Sequence, residues 1–346
     1  MITERDLQIV RALARYFVLN RQHLQQLCFP DDRDGRVTRR RLLKLVQSGL
    51  IQRQSLQMHD MLAGSPSSVY YPSRRGLEIL SESDNDKRFL LVSSQSPQPH
   101  HVRHWLAVSE THITIDEAVA RQTDVQLEGW INEWDTVSTV VEESDRRYQL
   151  LTILQESPRL SCAPDAAFLL SRAGHRKVYY LEEDRNTSGV ERIAASKTKG
   201  YAELAVRQWH RRHFPATTLP TFTVLMVAPS ERRRDHLRQA IHRKPGWELW
   251  RFVSATDLTV ESFLQAPILY RCDSNQGVPL VAPSQTLMKA PVDVPIHVSF
   301  VTPIPSSVST PNQMPLEVSI QTPIHAPNHS PLPVLIDDRI SAERAS

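Results

Sequence analysis

Three carboxylates and a lysine are spaced so that they could meet at one sheet edge. Pro164-Asp165 opens the apolar run Ala166–Leu170, a turn follows at Ala173-Gly174-His175, and Lys177-Val-Tyr-Tyr-Leu-Glu-Glu-Asp184 has the composition of a returning strand. Pairing the two runs as a hairpin sets Asp165 beside the end of the second. Side chains alternate along a strand, so Glu182 and Asp184 share one face and Glu183 points away. Asp165, Glu182 and Asp184 then make a hard-oxygen set of the kind that holds Mg²⁺ or Mn²⁺. Lys197 starts the following helix, with Tyr201, Leu204 and Ala205 on the same stripe. At that edge it could stabilise a pentavalent phosphate or orient a water. The competing reading is a surface acid cluster tied up by ion pairs such as Glu182 with Lys197. His100, His101 and His104 have metal-ligand spacing but adjoin a linker and read as packing or surface residues. Trp130, Glu133 and Trp134 read as core aromatics with an incidental acid.

A second set of residues suits nucleic acid. Residues 36–48 form a helical pattern with Leu42, Leu45 and Val46 on one stripe. Arg36, Arg40, Lys44 and Gln47 line the opposite face, with Arg39 and Arg41 on its flanks. A row of long cationic side chains matches phosphate contact and base-edge reading in the major groove of double-stranded DNA. A solvated helix face is the bland alternative, and the surrounding order counts against it. Thr3 and Asp6 open a first helix, Asn20 caps a second, and Gly49 ends the third at a left-handed position. Two strand patterns, Leu50–Leu56 and Val69–Pro72, flank a polar loop at His59–Ser68 that reads as a wing, and another helix starts at Ser73.

These elements fall into four stretches of a 346-residue chain. Residues 1–83 form the winged-helix DNA-binding domain, 84–99 a linker, 100–272 an α/β domain and 273–346 a Pro-rich low-complexity tail. Within residues 1–55, eleven Arg and Lys face five acids, a local excess of +6, while the whole chain carries only +3. The α/β stretch opens with a helix at His101–Glu110 that leads into His112–Ile115. It later holds the basic, aromatic segment Arg207–His213, a strand at Phe222–Val227, a basic helix at Glu231–Lys244 and a last strand at Trp247–Val253. The tail holds twelve of the 24 prolines, and Pro295–Pro303 is echoed by Pro315–Pro323, a duplicated segment too short to build a solenoid. The three cysteines lie far apart without a CxxC pair, and neither a secretory signal nor a membrane-length apolar run is visible. A cytoplasmic protein with no membrane partner is therefore expected. No GxGxxG, phosphate loop or nucleophilic Ser/Cys signature is present, which argues against nucleotide hydrolases and dehydrogenases.

The chain resembles the bacterial plasmid replication-relaxation protein family. The similarity is carried by Leu7–Leu13, Thr38–Ile51, Val69–Gly76, His104, Pro164-Asp165-Ala166, Leu181–Thr187 and Lys197 with Tyr201, in the family's order over about residues 3 to 228. The resemblance implies DNA binding in replication or relaxation of mobile DNA. The middle region also looks like the PD-(D/E)xK restriction-nuclease core, in which Asp165 and Glu182 would be metal ligands. Asp184 stands where that pattern has its lysine, which predicts either substitution by Lys197 from the helix or a degenerate site. The expected fold class is α+β: a winged helix-turn-helix, a restriction-endonuclease-like domain and a disordered tail. Two further functional readings stay open. One is a transcriptional regulator, in which the middle domain only dimerises, as a homodimer on a palindromic site, or senses a ligand. The other is an accessory factor that recruits a relaxase or replication enzyme.

Overall fold

The first helix, α1 (Glu4–Tyr16), begins where the Asp6 carboxylate accepts hydrogen bonds from the Thr3 backbone N–H at 2.8 Å and hydroxyl at 3.0 Å. The short strand β1 (Leu19–Asn20) leads into α2 (Arg21–Cys28), whose cap Asn20 accepts from the His23 N–H at 2.8 Å. Before α3 (Arg36–Gln47), Asp32 takes the Thr38 N–H at 2.7 Å and its hydroxyl at 2.6 Å, and so satisfies donors that the helix start leaves open. Gly49, at φ 70°, ends the helix in the left-handed conformation expected there. Strands β2 (Ile51–Ser55) and β3 (Ser68–Pro72) pair antiparallel, and β1 joins the other side of β3. Ser73 then caps α4 (Arg74–Ser83) through the Gly76 N–H. A Cβ at Gly76 would lie 2.1 Å from the Leu50 carbonyl oxygen, so this turn excludes any larger residue. Leu13, Leu24, Leu42, Leu45, Ile51 and Leu80 close the core beneath these elements.

In this computed structural model the described residues are 2–55, 68–137 and 148–281. The loop expected as a wing (His59–Ser68) falls outside them except for Ser68, as do nearly all of the Pro-rich tail and its repeated segment. The described residues lie within one compact unit, Met1–Ala290.

The helix expected to stop at Glu110 instead runs on as α5 (Pro99–Ala120), 22 residues long. Its Ile113-Thr114-Ile115 run is β-branched, yet Ile113 and Ile115 are buried in two different cores, and that burial outweighs helix propensity. The helix is thus shared. Arg15 of α1 grips Asp116 with two bonds of 2.6 Å, and Ser109 donates to the Tyr16 carbonyl at 2.8 Å.

After α5 come β4 (Val125–Asn132), the small hairpin β5 (Thr152–Gln155) and β6 (Leu160–Cys162), then β7 (Ala166–Arg172) and β8 (His175–Glu183). Ala173 (φ 48°) and Gly174 (φ 79°) form the two-residue turn between β7 and β8, with Arg172 paired to His175. The chain continues through α6 (Val190–Val206), α7 (His210–His213), β9 (Thr223–Ala228), α8 (Glu231–Ile241) and β10 (Trp250–Ser254). Two short strands complete the sheet, β11 (Leu269–Tyr270) and β12 (Gly277–Val278). The strand order is β12-β11-β10-β9-β8-β7-β4, parallel across β8-β9-β10 and antiparallel on either side. The result is a mixed α+β architecture. One sheet face packs on α6 and α8 around Tyr180, Tyr201 and Trp250, and the other packs on α5 around Phe168, Leu181 and Phe263. Among the described residues no helix is long and apolar enough to cross a membrane.

One buried group on α5 ties stability to pH. His112 stacks on Trp130 with ring centroids 3.6 Å apart and is 2% exposed. Burial drives its imidazole down to about 3, against the pull of Asp116 and with the help of Arg15; Tyr16 meets its ring edge-on. The unfolded chain binds a proton near pH 6.5 that the folded chain refuses, so this contribution to stability falls as pH drops from about 6.5 towards 3. The maximum slope is about 1.4 kcal/mol per pH unit. Urea denaturation at neutral and mildly acidic pH should show this loss in the wild type and a shallower one in His112→Phe. Equal slopes would remove His112 from the acid response.

Candidate functional site

The site forms where β7 starts and β8 ends. Ala166 pairs with Leu181, and the Asp165 N–H donates to the Leu181 carbonyl at 3.2 Å, so Asp165 sits beside Glu182 as the hairpin register predicts. Strand alternation then sends the two glutamates to opposite sides. Glu182 faces α6, where its Oε2 accepts from Lys197 Nζ and its Oε1 from the Tyr201 hydroxyl, both at 2.5 Å. Glu183 faces α5 and accepts from the Thr111 hydroxyl at 2.5 Å. Lys197 also donates to the Ala163 carbonyl at 3.2 Å and lies 3.8 Å from Asp165 Oδ1.

Asp184 goes elsewhere. It lies just past β8, and its carboxylate is buried in a two-bond pair with Arg233 of α8 at 2.6 and 3.2 Å. The structure therefore brings together Asp165, Glu182 and Lys197 and ties Asp184 to a different element.

Two residues that the sequence reading set aside join the cluster. His104 of α5 points its Nε2 at Asp165 Oδ1 (3.5 Å) and Glu133 Oε1 (3.8 Å). Glu133 follows β4, and its N–H donates to the Asp165 carbonyl at 3.0 Å. The Trp105 indole N–H donates to the Glu133 carboxylate, while Asp165 Oδ2 accepts from the Glu183 N–H at 2.7 Å. One ligand atom from each of His104, Glu133 and Asp165 lies within 4.8 Å of the others, close enough to share a cation. Spacing hid this triad because its members come from a helix, a strand end and a strand start. The one available signal was an acid immediately after a strand, between two tryptophans.

The electrostatics divide the acids. Burial alone would raise Asp165, but the Lys197 ammonium and the His104 ring hold its carboxyl below the usual carboxylate range. Burial pushes Glu183 up to about 8 and lifts Glu182 as well, against the opposing pull of Lys197. Burial disfavours the His104 cation, yet Asp165, Glu133 and Glu183 raise the ring to about 9. The cluster therefore keeps an ionised Asp165 between two cationic partners. Glu133, Ala163 and Pro164 open onto a groove of about 610 Å³ that Phe17, Trp105 and Trp134 also line.

The second candidate surface is on α3. Arg36, Arg39, Arg40, Lys44 and Gln47 are exposed, Arg36 to 82% even though it pairs with Asp34 at 3.0 Å. Arg41 is placed differently. Its guanidinium grips the buried Asp6 and the Thr3 hydroxyl and so joins α3 to the α1 cap. The side chains of Val37 and Leu43 stand exposed among the cations, and Arg5, Arg40 and Lys44 line a shallow hollow beside Phe29.

No match was found among curated proteins or solved structures. The family model described as replication-relaxation matches residues 10–217, well over half of the chain, from α1 through the end of α7. That span contains α3 and every member of the Asp165 cluster. The family suggested by Thr38–Ile51, Pro164-Asp165 and Lys197 is thereby borne out: the chain belongs to the replication-relaxation family.

Proposed function

We propose that this protein binds duplex DNA and acts in the replication or relaxation of plasmid or other mobile DNA, with the Asp165 edge as a cation-dependent site for nicking a phosphodiester. The observation that carries the second part is the meeting of Asp165, Glu182 and Lys197 at one sheet edge, with His104 and Glu133 completing a polar cluster beside a solvent groove. The order α1-α2-α3 followed by the β2–β3 hairpin supports a winged-helix reading, in which α3 enters the major groove. The helix, three-strand, helix and strand order of α5-β4-β7-β8-α6-β9 supports a nuclease-like reading of the sheet.

The residues fit a divalent ion at Asp165, whose carboxylate stays ionised and whose Oδ1 lies within 3.8 Å of both His104 and Lys197. Such an ion, Mg²⁺ or Mn²⁺, would supply the charge that offsets a phosphate under attack. Lys197 brings a fixed positive charge to the same place, and Glu182 with Tyr201 holds that ammonium in position. In the reaction a water oxygen replaces one bridging oxygen on phosphorus. Supercoiled plasmid incubated with the protein should yield nicked circles with Mn²⁺ or Mg²⁺ and none with EDTA. A gel shift without nicking in every condition would overturn the cleavage reading.

DNA binding has its own test. Arg36→Gln, Arg40→Gln and Lys44→Gln together should flatten the dependence of log affinity on log salt by about 2 to 3, the release expected for three phosphate contacts. An unchanged slope would move the DNA face away from α3. A specific observation favours a second reading, that of a regulator or of an accessory factor recruiting a relaxase or replication protein. Asp184 occupies the place of a catalytic lysine and is spent on Arg233.

A further inference from the structure

We propose that the cation centre of this protein is the His104–Glu133–Asp165 triad, and that it selects a first-row transition ion over Mg²⁺. The assignment rests on reading this edge as the reacting centre, and it changes which residues do the binding. Glu182 is not a ligand: the Lys197 ammonium sits on its Oε2 and repels a second cation there, and the Tyr201 hydroxyl donates to its Oε1. Asp184 is not a ligand either, because Arg233 holds both of its oxygens.

The triad has the geometry of a partly open site. Donors bound to one ion at ~2.1 Å lie ~3.0–3.4 Å apart at octahedral to tetrahedral angles. His104 Nε2 is already 3.5 Å from Asp165 Oδ1 and 3.8 Å from Glu133 Oε1, and one ligand atom from each residue lies within 4.8 Å of the others, so closing onto one ion needs side-chain shifts but no backbone rearrangement. His104 would give up its proton to the incoming ion, leaving a neutral imidazole and two carboxylates whose two negative charges match a divalent ion. Their outer contacts are also fixed. The Trp105 indole orients Glu133, the Glu183 N–H orients Asp165, and a backbone bond joins residues 133 and 165. The side chains retain exposures of 21% for His104, 32% for Glu133 and 12% for Asp165, and Glu133 lines the groove, from which water or a phosphate oxygen could enter.

Imidazole is the selecting ligand. An all-oxygen set suits Mg²⁺, whereas adding a ring nitrogen favours Fe²⁺ or Zn²⁺; Mn²⁺, which accepts carboxylates and is visible by EPR, serves as the first-row probe. Lys197 stays on Glu182 and serves the phosphate rather than the ion.

The test is a Mn²⁺ titration of the full chain, read by loss of the free-ion EPR signal and run separately from nicking assays. The wild type should bind one Mn²⁺, with Mg²⁺ competing only at large excess. His104→Gln should weaken binding by more than about tenfold, and Glu182→Gln should leave it within about threefold. Duplex binding through α3 checks that each variant is folded. Should His104→Gln fail that check, Glu133→Gln carries the same expectation. Absence of Mn²⁺ binding by the folded wild type would overturn the proposal, as would loss in Glu182→Gln with retention in His104→Gln. Mn²⁺ held through His104 without any nicking would keep the cation site and sink the phosphodiester reading. Nicking by His104→Gln at wild-type rates in Mg²⁺ would do the reverse.

Discussion

Asp165→Ala should abolish cation-dependent nicking, a loss on the order of 10³-fold or more, while duplex binding stays at the wild-type level. Several kcal/mol of charge stabilisation depend on one carboxylate, and that scale corresponds to such a factor. Asp165 is the one acid of the cluster held below the usual carboxylate range, and it is the residue that His104, Lys197 and the Glu183 N–H all address. Removing it leaves two cationic groups facing each other, so some destabilisation accompanies the change. Asp165→Asn separates the two effects. The amide keeps the volume and can still accept from the Glu183 N–H, but it presents no charge to an ion. Both variants should therefore fail to nick, with Asn the more stable by urea midpoint. Nicking retained in a folded Asp165→Asn would remove this edge from the chemistry. Nicking lost only in Asp165→Ala would assign the residue a structural role.

What the sequence made legible was local. The Thr3–Asp6 cap, the Asn20 cap, Gly49 at φ 70° and the Ala173-Gly174 turn each depend on a few neighbouring residues, and each forms as expected. The hairpin register followed from that turn, and with it the meeting of Asp165 and Glu182. What stayed hidden needed three dimensions. A helix that crosses two cores kept the β-branched run of α5 helical, and no local pattern announces a second core. Arg41 and Asp184 look like their neighbours in sequence. Yet Arg41 is drawn to Asp6 and Asp184 to Arg233, and in each case the partner on another helix decides the role. His104 and Glu133 read as structural in the sequence because a histidine cluster beside a linker and an acid among tryptophans are usually surface or packing residues. Only the convergence of α5, the end of β4 and the start of β7 distinguishes them.

Lys197→Met should destabilise the fold by about 3 kcal/mol, and adding Glu182→Gln should restore most of it. Breaking a buried ion pair from one side costs more than deleting the pair, because the surviving charge stays desolvated. Glu182 is buried, and its ammonium partner lies 2.5 Å away; Lys197 retains 30% exposure, which places the cost at the lower end of the usual range. Without the lysine, Glu182 also faces Asp165 with no cation between them. Glu182→Gln alone should cost less, since Lys197 keeps the Ala163 carbonyl and Asp165 as partners. The double variant then reports the coupling, measured by urea unfolding at a constant slope. Additive losses would mean that the pair is weak and that Lys197 is held chiefly by the backbone. The same double variant separates structure from chemistry. It is expected to be folded and to bind DNA, yet to nick ~10²-fold more slowly, because a thioether brings no charge to the phosphate. A stable double variant that nicks at the wild-type rate would reduce Lys197 to a counter-ion for Glu182.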